Sequence, residues 1–333
     1  MRVAIVRLTA MGDIVHTMAA LQFVKKAKPD TEITWFVEEK FAAVVERNPH
    51  VDRIVPVDLH RLKNGFSFTA LRQEAAKVRS VGPFDLVIDV QGLLKSAILA
   101  RIAGREVAGL DFDSAKEGVA SFLYSQRFAV DCTRIAPLRF ASLIAKALGI
   151  EITEQMLRKK EPYLFFDRER AAGRVDPFFD EKRPNLLVVT AASNASKTYP
   201  PERFIELIGH LEACNVLLVA GSEAERKEAE TIAAATHARL LPPLDLDALK
   251  YAVFRCDLLI GGDTGPSHMA WAMNRPSLLL FGSTPRSMMM ETPINVALTS
   301  GAKVHPCRFD KNDRSIATID PARVAETASR LLA

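Results

Sequence analysis

Residues 257–270 read Asp257-Leu258-Leu259-Ile260-Gly261-Gly262-Asp263-Thr264-Gly265-Pro266-Ser267-His268-Met269-Ala270. The apolar triplet Leu258–Ile260 predicts a buried parallel strand, and Asp263 or Thr264 suits the N-cap of a helix that follows. Pro266 falls in the first turn, where its missing N–H costs nothing. Such a corner aims several backbone N–H groups and the positive helix end at one point, an arrangement that holds phosphate. An ordinary strand–turn–helix corner reads the same way, so the surrounding chain has to decide.

Outward from this corner, apolar runs of strand length alternate with helical patterns. In the first half, strands are expected at Val3–Arg7, Glu32–Val37, Arg53–Pro56, Leu86–Asp89 and Val107–Gly109. Helices are expected near His16–Lys28, Lys40–Asn48, Phe68–Val81 and Leu93–Ile102. The rhythm pauses over Glu151–Arg183, charged and broken by Pro162, Pro177 and Pro184, which reads as an interdomain linker. It resumes with strands at Asn185–Thr190, Val216–Ala220, Leu258–Ile260 and Ser277–Phe281. The expected helices here are Pro201–Glu212, Glu223–Thr236, Asp245–Phe254 and Pro321–Leu332. The expectation is an α/β chain of two Rossmann-like parallel-sheet domains facing across a cleft, residues 1–165 and 183–318, with a C-terminal helix, 319–333, crossing back to the first domain.

The chain has 333 residues, 48% hydrophobic and 25% charged, with a formal charge of +4. That describes a folded globular protein, and the basic excess is too small to argue for nucleic acid. Cys132, Cys214, Cys256 and Cys307 form no CxxC pair, so no zinc site or disulfide framework is expected and a reducing compartment fits. A strand at the first residues leaves no room for a signal peptide, and no apolar run approaches the roughly 20 residues of a membrane span. A cytoplasmic location is expected.

In open parallel sheets, ligands bind at the carboxyl ends of the strands, so the loops there carry the function. In Leu8–Thr17, Gly12 permits a turn, and Asp13 is either a helix N-cap or a carboxylate available as a general base. The loop is not G-x-G-x-x-G, which disfavours a dinucleotide dehydrogenase. In Thr190–Phe204, small polar residues including Ser193 could wrap a phosphate with the Lys197 ammonium as counter-charge; a solvated lysine reads equally well. After the next strand, Glu223 and Glu225 could receive ribose hydroxyls or simply be first-turn helix acids. Gln91, Lys95 and Ser96 follow Asp89 and offer donors. Leu59–Gly65 is a basic loop containing Arg61 and Lys63, functional if the acceptor is an anion.

With these loops placed, the chain resembles the ADP-heptose:lipopolysaccharide heptosyltransferases, inverting glycosyltransferases of the GT-B type. The resemblance runs from the first strand to the last helix. It rests on Met11-Gly12-Asp13-Ile14-Val15-His16-Thr17, Trp35-Phe36-Val37-Glu38-Glu39, Asp89-Val90-Gln91-Gly92-Leu93-Leu94-Lys95-Ser96-Ala97 and Asp263-Thr264-Gly265-Pro266-Ser267-His268. The third string is closer to the branch adding the first heptose than to the branch adding the second. Two departures stand out: Pro266 where relatives often carry leucine, and Thr198-Tyr199 after Lys197 where close relatives have His-Trp.

The resemblance implies that Asp13 is the base that deprotonates the acceptor hydroxyl. It implies that Asp263, Thr264 and Gly265 hold the donor pyrophosphate, with His268 one turn on, and that Lys197 lies beside the donor phosphates with Ser193 in the same loop. Glu225 aligns with the ribose-binding glutamate and Glu223 is its rival. Arg61, Lys63, Gln91, Lys95 and Arg127 fall to the acidic acceptor. ADP-heptose would be the donor and Kdo2-lipid A the acceptor, with no metal or other cofactor, no nucleic acid, a monomeric enzyme and transient contact with the cytoplasmic face of the inner membrane. The branch adding the second heptose, or another nucleotide-sugar transferase of the same family, is the nearest alternative, and a non-catalytic nucleotide-binding protein is the alternative of another class.

Overall fold

Strands that are apolar along their whole length bury both faces, which a parallel sheet covered by helices requires. All five residues of Asn185–Val189 are buried, as are those of Asn215–Val219, Leu258–Gly262 and Ser277–Phe281. The computed structural model describes residues 1–58, 68–307 and 310–333. Two units result, Met1–Tyr163 and Leu164–Ala333.

The first unit's sheet contains β1 (Arg2–Val6), β2 (Glu32–Glu38), β3 (Arg53–Val57), β4 (Leu86–Asp89), β5 (Val107–Leu110) and β6 (Gln126–Phe128), in the order β3-β2-β1-β4-β5-β6. The second contains β7 (Asn185–Val189), β8 (Asn215–Val219), β9 (Arg239–Leu240), β10 (Leu258–Gly262), β11 (Ser277–Phe281) and β12 (Asn295–Thr299), in the order β12-β11-β10-β7-β8-β9. Every pairing is parallel; Val6 registers with Asp89 between β1 and β4, and Gly261 with Val189 between β7 and β10. Both sheets therefore have the same doubly wound topology. Strand order reverses between β1 and β4 in one and between β7 and β10 in the other, and those two crevices are where such sheets bind ligands. Among the described residues, no helix is long and apolar enough to cross a membrane.

Three expectations change. The helix expected over His16–Lys28 is two helices, Met11–Met18 and Leu21–Ala27, and it starts early enough to include Asp13. The stretch expected to be a linker contains the boundary between the units, and the part beyond that boundary is folded into the second. Asp167 caps the Arg168–Val175 helix, Arg170 and Arg174 pair with Asp245, and Phe166 packs on Tyr251 and Phe254, so its charges are ion pairs rather than solvated linker. The C-terminal helix belongs to the second unit. Its Val324, Ala325 and Ala328 are buried in the second unit's core with Leu186, Phe204 and Leu258. Tyr199 holds the segment before it: the ring stacks edge-on to Phe204 and the hydroxyl donates to the Ile319 carbonyl at 2.7 Å. Tyr199 thus lies in the core, and Thr198 beside it is half-buried.

Candidate active site

The chain leaves β1 through Arg7, whose guanidinium is almost wholly buried. One end donates to the Val90 carbonyl at 2.8 Å, the other pairs with Asp13, and the plane lies 4.5 Å from the centre of the Phe140 ring. Asp13 is the third residue of its helix, not the N-cap; that place belongs to Ala10, which has no side-chain acceptor. A first-turn carboxylate is favoured by the helix dipole. The Arg7 contact uses Oδ2, Oδ1 takes no hydrogen bond among the described residues, and the side chain is 31% exposed. The result is an oriented carboxylate with one oxygen left for a substrate.

Gln91 spans the crevice to hold this loop. Its Oε1 accepts from the Leu8 N–H at 2.8 Å and the Thr9 N–H at 3.2 Å, and its Nε2 donates to Thr9 Oγ1 at 3.3 Å. Gln91 is buried and both polar atoms of its amide are engaged with this loop, so it helps to position Asp13. Behind it the wholly buried Asp89 carboxylate receives Ser96 Oγ at 2.8 Å, Tyr124 OH at 2.7 Å and the Gln91 N–H at 2.9 Å. Burial raises the Asp89 carboxyl against the pull of those donors. Gly92 takes a φ of 68°, a left-handed conformation that disfavours side chains. Lys95 and Arg127 are exposed, the Arg127 Nε donating to the Ser121 carbonyl at 2.8 Å. Arg61 and Lys63 lie outside the described residues.

Arg7 and Arg139 escaped the sequence reading. Burial lowers the Arg139 guanidinium from its ordinary value while the nearby Asp13 charge opposes that shift, so Asp13 faces two cations. A charged residue directly after the apolar run Val3–Val6 was the available signal for Arg7; Arg139 had none, because the helix Ala136–Leu148 that carries it was not read.

In the second unit the β7 and β10 loops meet at the same topological position. Lys197 Nζ lies 2.6 Å from Asp263 Oδ2, and His268 Nε2 lies 3.0 Å from Asp263 Oδ1. Burial alone would raise the Asp263 carboxyl, but the His268 hydrogen bond and the Lys197 and His268 charges outweigh it and hold it well below the usual range. Gly262 makes the approach possible, since a Cβ there would collide with the Lys197 carbonyl. Ser283 Oγ donates to the Ser196 carbonyl at 3.0 Å and pins the lysine's loop from the other side.

The helix Gly265–Ala272 begins beside this cluster. Thr264 is its N-cap but makes no side-chain bond to it, and Thr264 Oγ1 instead lies 3.1 Å from Ser267 Oγ. Its first-turn N–H groups are left without a side-chain cap, which suits an external anion. The next strand's helix is the opposite case: Ser222 caps it, and Glu225 Oε2 receives the Gly221 N–H at 2.6 Å and the Ser222 N–H at 3.1 Å. Glu225 is thereby oriented, whereas Glu223 and Ser193 are exposed. An oriented carboxylate in one unit and a lysine beside an uncapped helix N-terminus in the other are groups that suit proton removal and anion binding.

Residues 75–313 match the model of glycosyltransferase family 9 (heptosyltransferase). The chain belongs to that family. Lipopolysaccharide heptosyltransferase 1 of Campylobacter coli is 31% identical over 99% of each chain. The Pseudomonas aeruginosa protein of the same name is 34% identical over 85% of this chain and 79% of its own. The structure of Escherichia coli heptosyltransferase WaaC with ADP-2-deoxy-2-fluoro heptose superposes with a TM-score of 0.77 at 26% identity, covering 99% of each chain. This family 9 transferase brings Lys197, Asp263 and His268 together, and it ties Gln91 to the loop that carries Asp13.

Proposed function

We propose that this enzyme moves L-glycero-D-manno-heptose from ADP-heptose to a Kdo residue of Kdo2-lipid A, with inversion at the anomeric carbon. The observation that carries the reading is the contrast in how its two aspartates are held, one with an uncommitted oxygen and one consumed in holding Lys197 and His268. The kinship with heptosyltransferases named for the first transfer supports the choice of substrates.

Asp13 takes the proton of the Kdo hydroxyl as that oxygen bonds to the heptose anomeric carbon. The bond from that carbon to the donor phosphate breaks, and ADP leaves with the electron pair. Lys197 and the Gly265 and Ser267 N–H groups meet the charge that develops on the leaving diphosphate. Asp263 would repel a phosphate, so it serves by holding Lys197 and His268 in place. Glu225 takes a ribose hydroxyl, and Arg61, Lys63, Lys95 and Arg127 attract the acidic acceptor. The protein supplies the charge that neutralises the leaving group, so the reaction needs no metal. The enzyme acts as a monomer at the cytoplasmic face of the inner membrane.

The test is heptose transfer from ADP-heptose to Kdo2-lipid A in the presence of EDTA. Product formation is expected. Absence of product while ADP still binds would overturn the acceptor assignment, and a core already carrying one heptose would be tried next.

A further inference from the structure

Five of the eight large hydrophobic residues most exposed among the described residues lie between positions 94 and 122: Leu94, Ile98, Phe112, Val119 and Phe122. Leu94 and Ile98 are four apart on one face of the helix Leu94–Ala103, and the 3-10 turn Gly118–Leu123 packs along that helix. Phe112 and Phe122 are 55% and 68% exposed, with ring centres 6.0 Å apart. Gly118 lets the first ring lie there, because a Cβ on it would run into the Phe112 carbonyl and ring. The Phe112 ring is therefore seated against Gly118, and both rings stay exposed. Scattered exposed apolar residues need no explanation, but a contiguous cluster of this kind marks an interaction surface.

The cluster is joined to the catalytic loop. The Glu117 N–H donates to the Gly92 carbonyl at 3.0 Å, and the Leu94 N–H donates to Glu117 Oε2 at 2.7 Å, next to the Gln91 that holds the Asp13 loop. Lys95, Arg101, Arg105, Lys116 and Arg127 are exposed along the same stretch, against the exposed carboxylates Glu106, Asp113 and Glu117. Glu117 is already occupied by the Leu94 N–H. Aromatic and aliphatic side chains among an excess of cations match the interface of an anionic bilayer.

We propose that this apolar cluster, with its cations, is the surface by which the first unit docks on an anionic lipid bilayer. The inference rests on the reading of the acceptor as a lipid-anchored sugar: the Kdo hydroxyl must reach Asp13 while its acyl chains stay in the membrane. No single helix carries the anchor, which is assembled from a helix, a loop and a 3-10 turn only when the unit folds.

The test is co-sedimentation of the full chain with vesicles of phosphatidylethanolamine and phosphatidylglycerol, beside vesicles of phosphatidylcholine. The wild type is expected to sediment with the anionic vesicles. The double variant Phe112→Ser/Phe122→Ser should lose about tenfold in partitioning, and Phe112→Leu/Phe122→Leu should retain most of it. Circular dichroism and unchanged ADP binding establish that the variants are folded. Wild-type protein that stays in the supernatant, or a serine variant that sediments like wild type, overturns the proposal. So does a concentration-dependent dimer, without vesicle binding, that the serine substitutions disperse. Transfer then separates this proposal from the assignment of function. The serine variant should be impaired on vesicle-embedded acceptor and match wild type on deacylated, water-soluble acceptor. Vesicle binding without transfer to either acceptor would instead overturn the assigned reaction and leave the docking surface standing.

Discussion

Asp13 and Asp263 occupy comparable places in two sheets of the same topology, each at a strand's carboxyl end beside the point where strand order reverses. Their environments diverge. Asp13 pairs with Arg7 through one oxygen and is 31% exposed; Asp263 is 3% exposed and spends both oxygens, one on Lys197 and one on His268. A carboxylate meant to take a proton needs a reachable oxygen, whereas one meant to hold cations needs burial and full coordination. Residue type and position in the fold do not separate these roles, but the partners do.

The sharpest way to break the comparison is Asp13→Ala. If Asp13 is the base, kcat for heptose transfer falls by about a thousandfold, and ADP affinity measured by calorimetry stays within about twofold, because the nucleotide parts lie in the other unit. A matching loss of ADP binding would show that the two aspartates had been given the wrong roles.

The second unit predicts the reverse pattern. Lys197→Met removes the cation beside the diphosphate and leaves Asp263 buried with His268 alone. Transfer should drop by about a hundredfold with a clear loss of ADP affinity, and the protein should lose about 3 kcal/mol of stability, read from urea unfolding. A variant with normal ADP binding would place the phosphates elsewhere.

Acid unfolding sharpens the contrast further. The folded Asp263 carboxyl lies below its ordinary value, so its stabilising contribution is full above about pH 4 and fades as the pH falls from there toward the folded value. Wild type should lose more stability than Asp263→Asn over that acid range, although the variant starts less stable at neutral pH. Parallel curves for the two proteins would mean the carboxyl is not depressed.

Gln91→Ala tests the support beneath Asp13. It leaves the Leu8 and Thr9 N–H groups without their acceptor, a cost of about 1–2 kcal/mol, and should reduce kcat about tenfold through the loop while the acceptor KM changes little. A rise in acceptor KM with unchanged kcat would return Gln91 to the ligand role first expected of it.

The strands were legible because an all-apolar run bounded by turn residues has few other fates in an α/β chain; Leu86–Asp89 and Ser277–Phe281 appear where the pattern puts them. The short edge strands β6, β9 and β12 were not, because sheet edges need no continuous apolar run. In the second unit, sequence placed Lys197, Asp263 and His268 near one another, and structure supplied the contacts among them. Around Asp13 its partner Arg7 comes from a strand end, and the nearby charge of Arg139 from a helix more than a hundred residues on, a proximity no local pattern carries. The folding of residues 164–183 has a similar cause: Arg174 and Asp176 find their partners Asp245, Tyr251 and Arg255 only in the folded second unit.

The smallest effect distinguishes two glutamates of one helix. Glu225 gives one oxygen, Oε2, to the Gly221 and Ser222 N–H groups, which leaves Oε1 for a ribose hydroxyl; Glu223 is exposed with no such anchor. Glu225→Gln is the informative change because glutamine at this position still completes a capping box. Its carbonyl oxygen stays with the backbone, so its NH2, a donor, replaces the acceptor that faced the ribose. Donor KM should then rise about fivefold, the worth of one hydrogen bond, at unchanged thermal stability, while Glu223→Gln matches wild type. Equal behaviour of the two variants would reduce Glu225 to a helix cap, and the second unit would recognise its nucleotide through the phosphates alone.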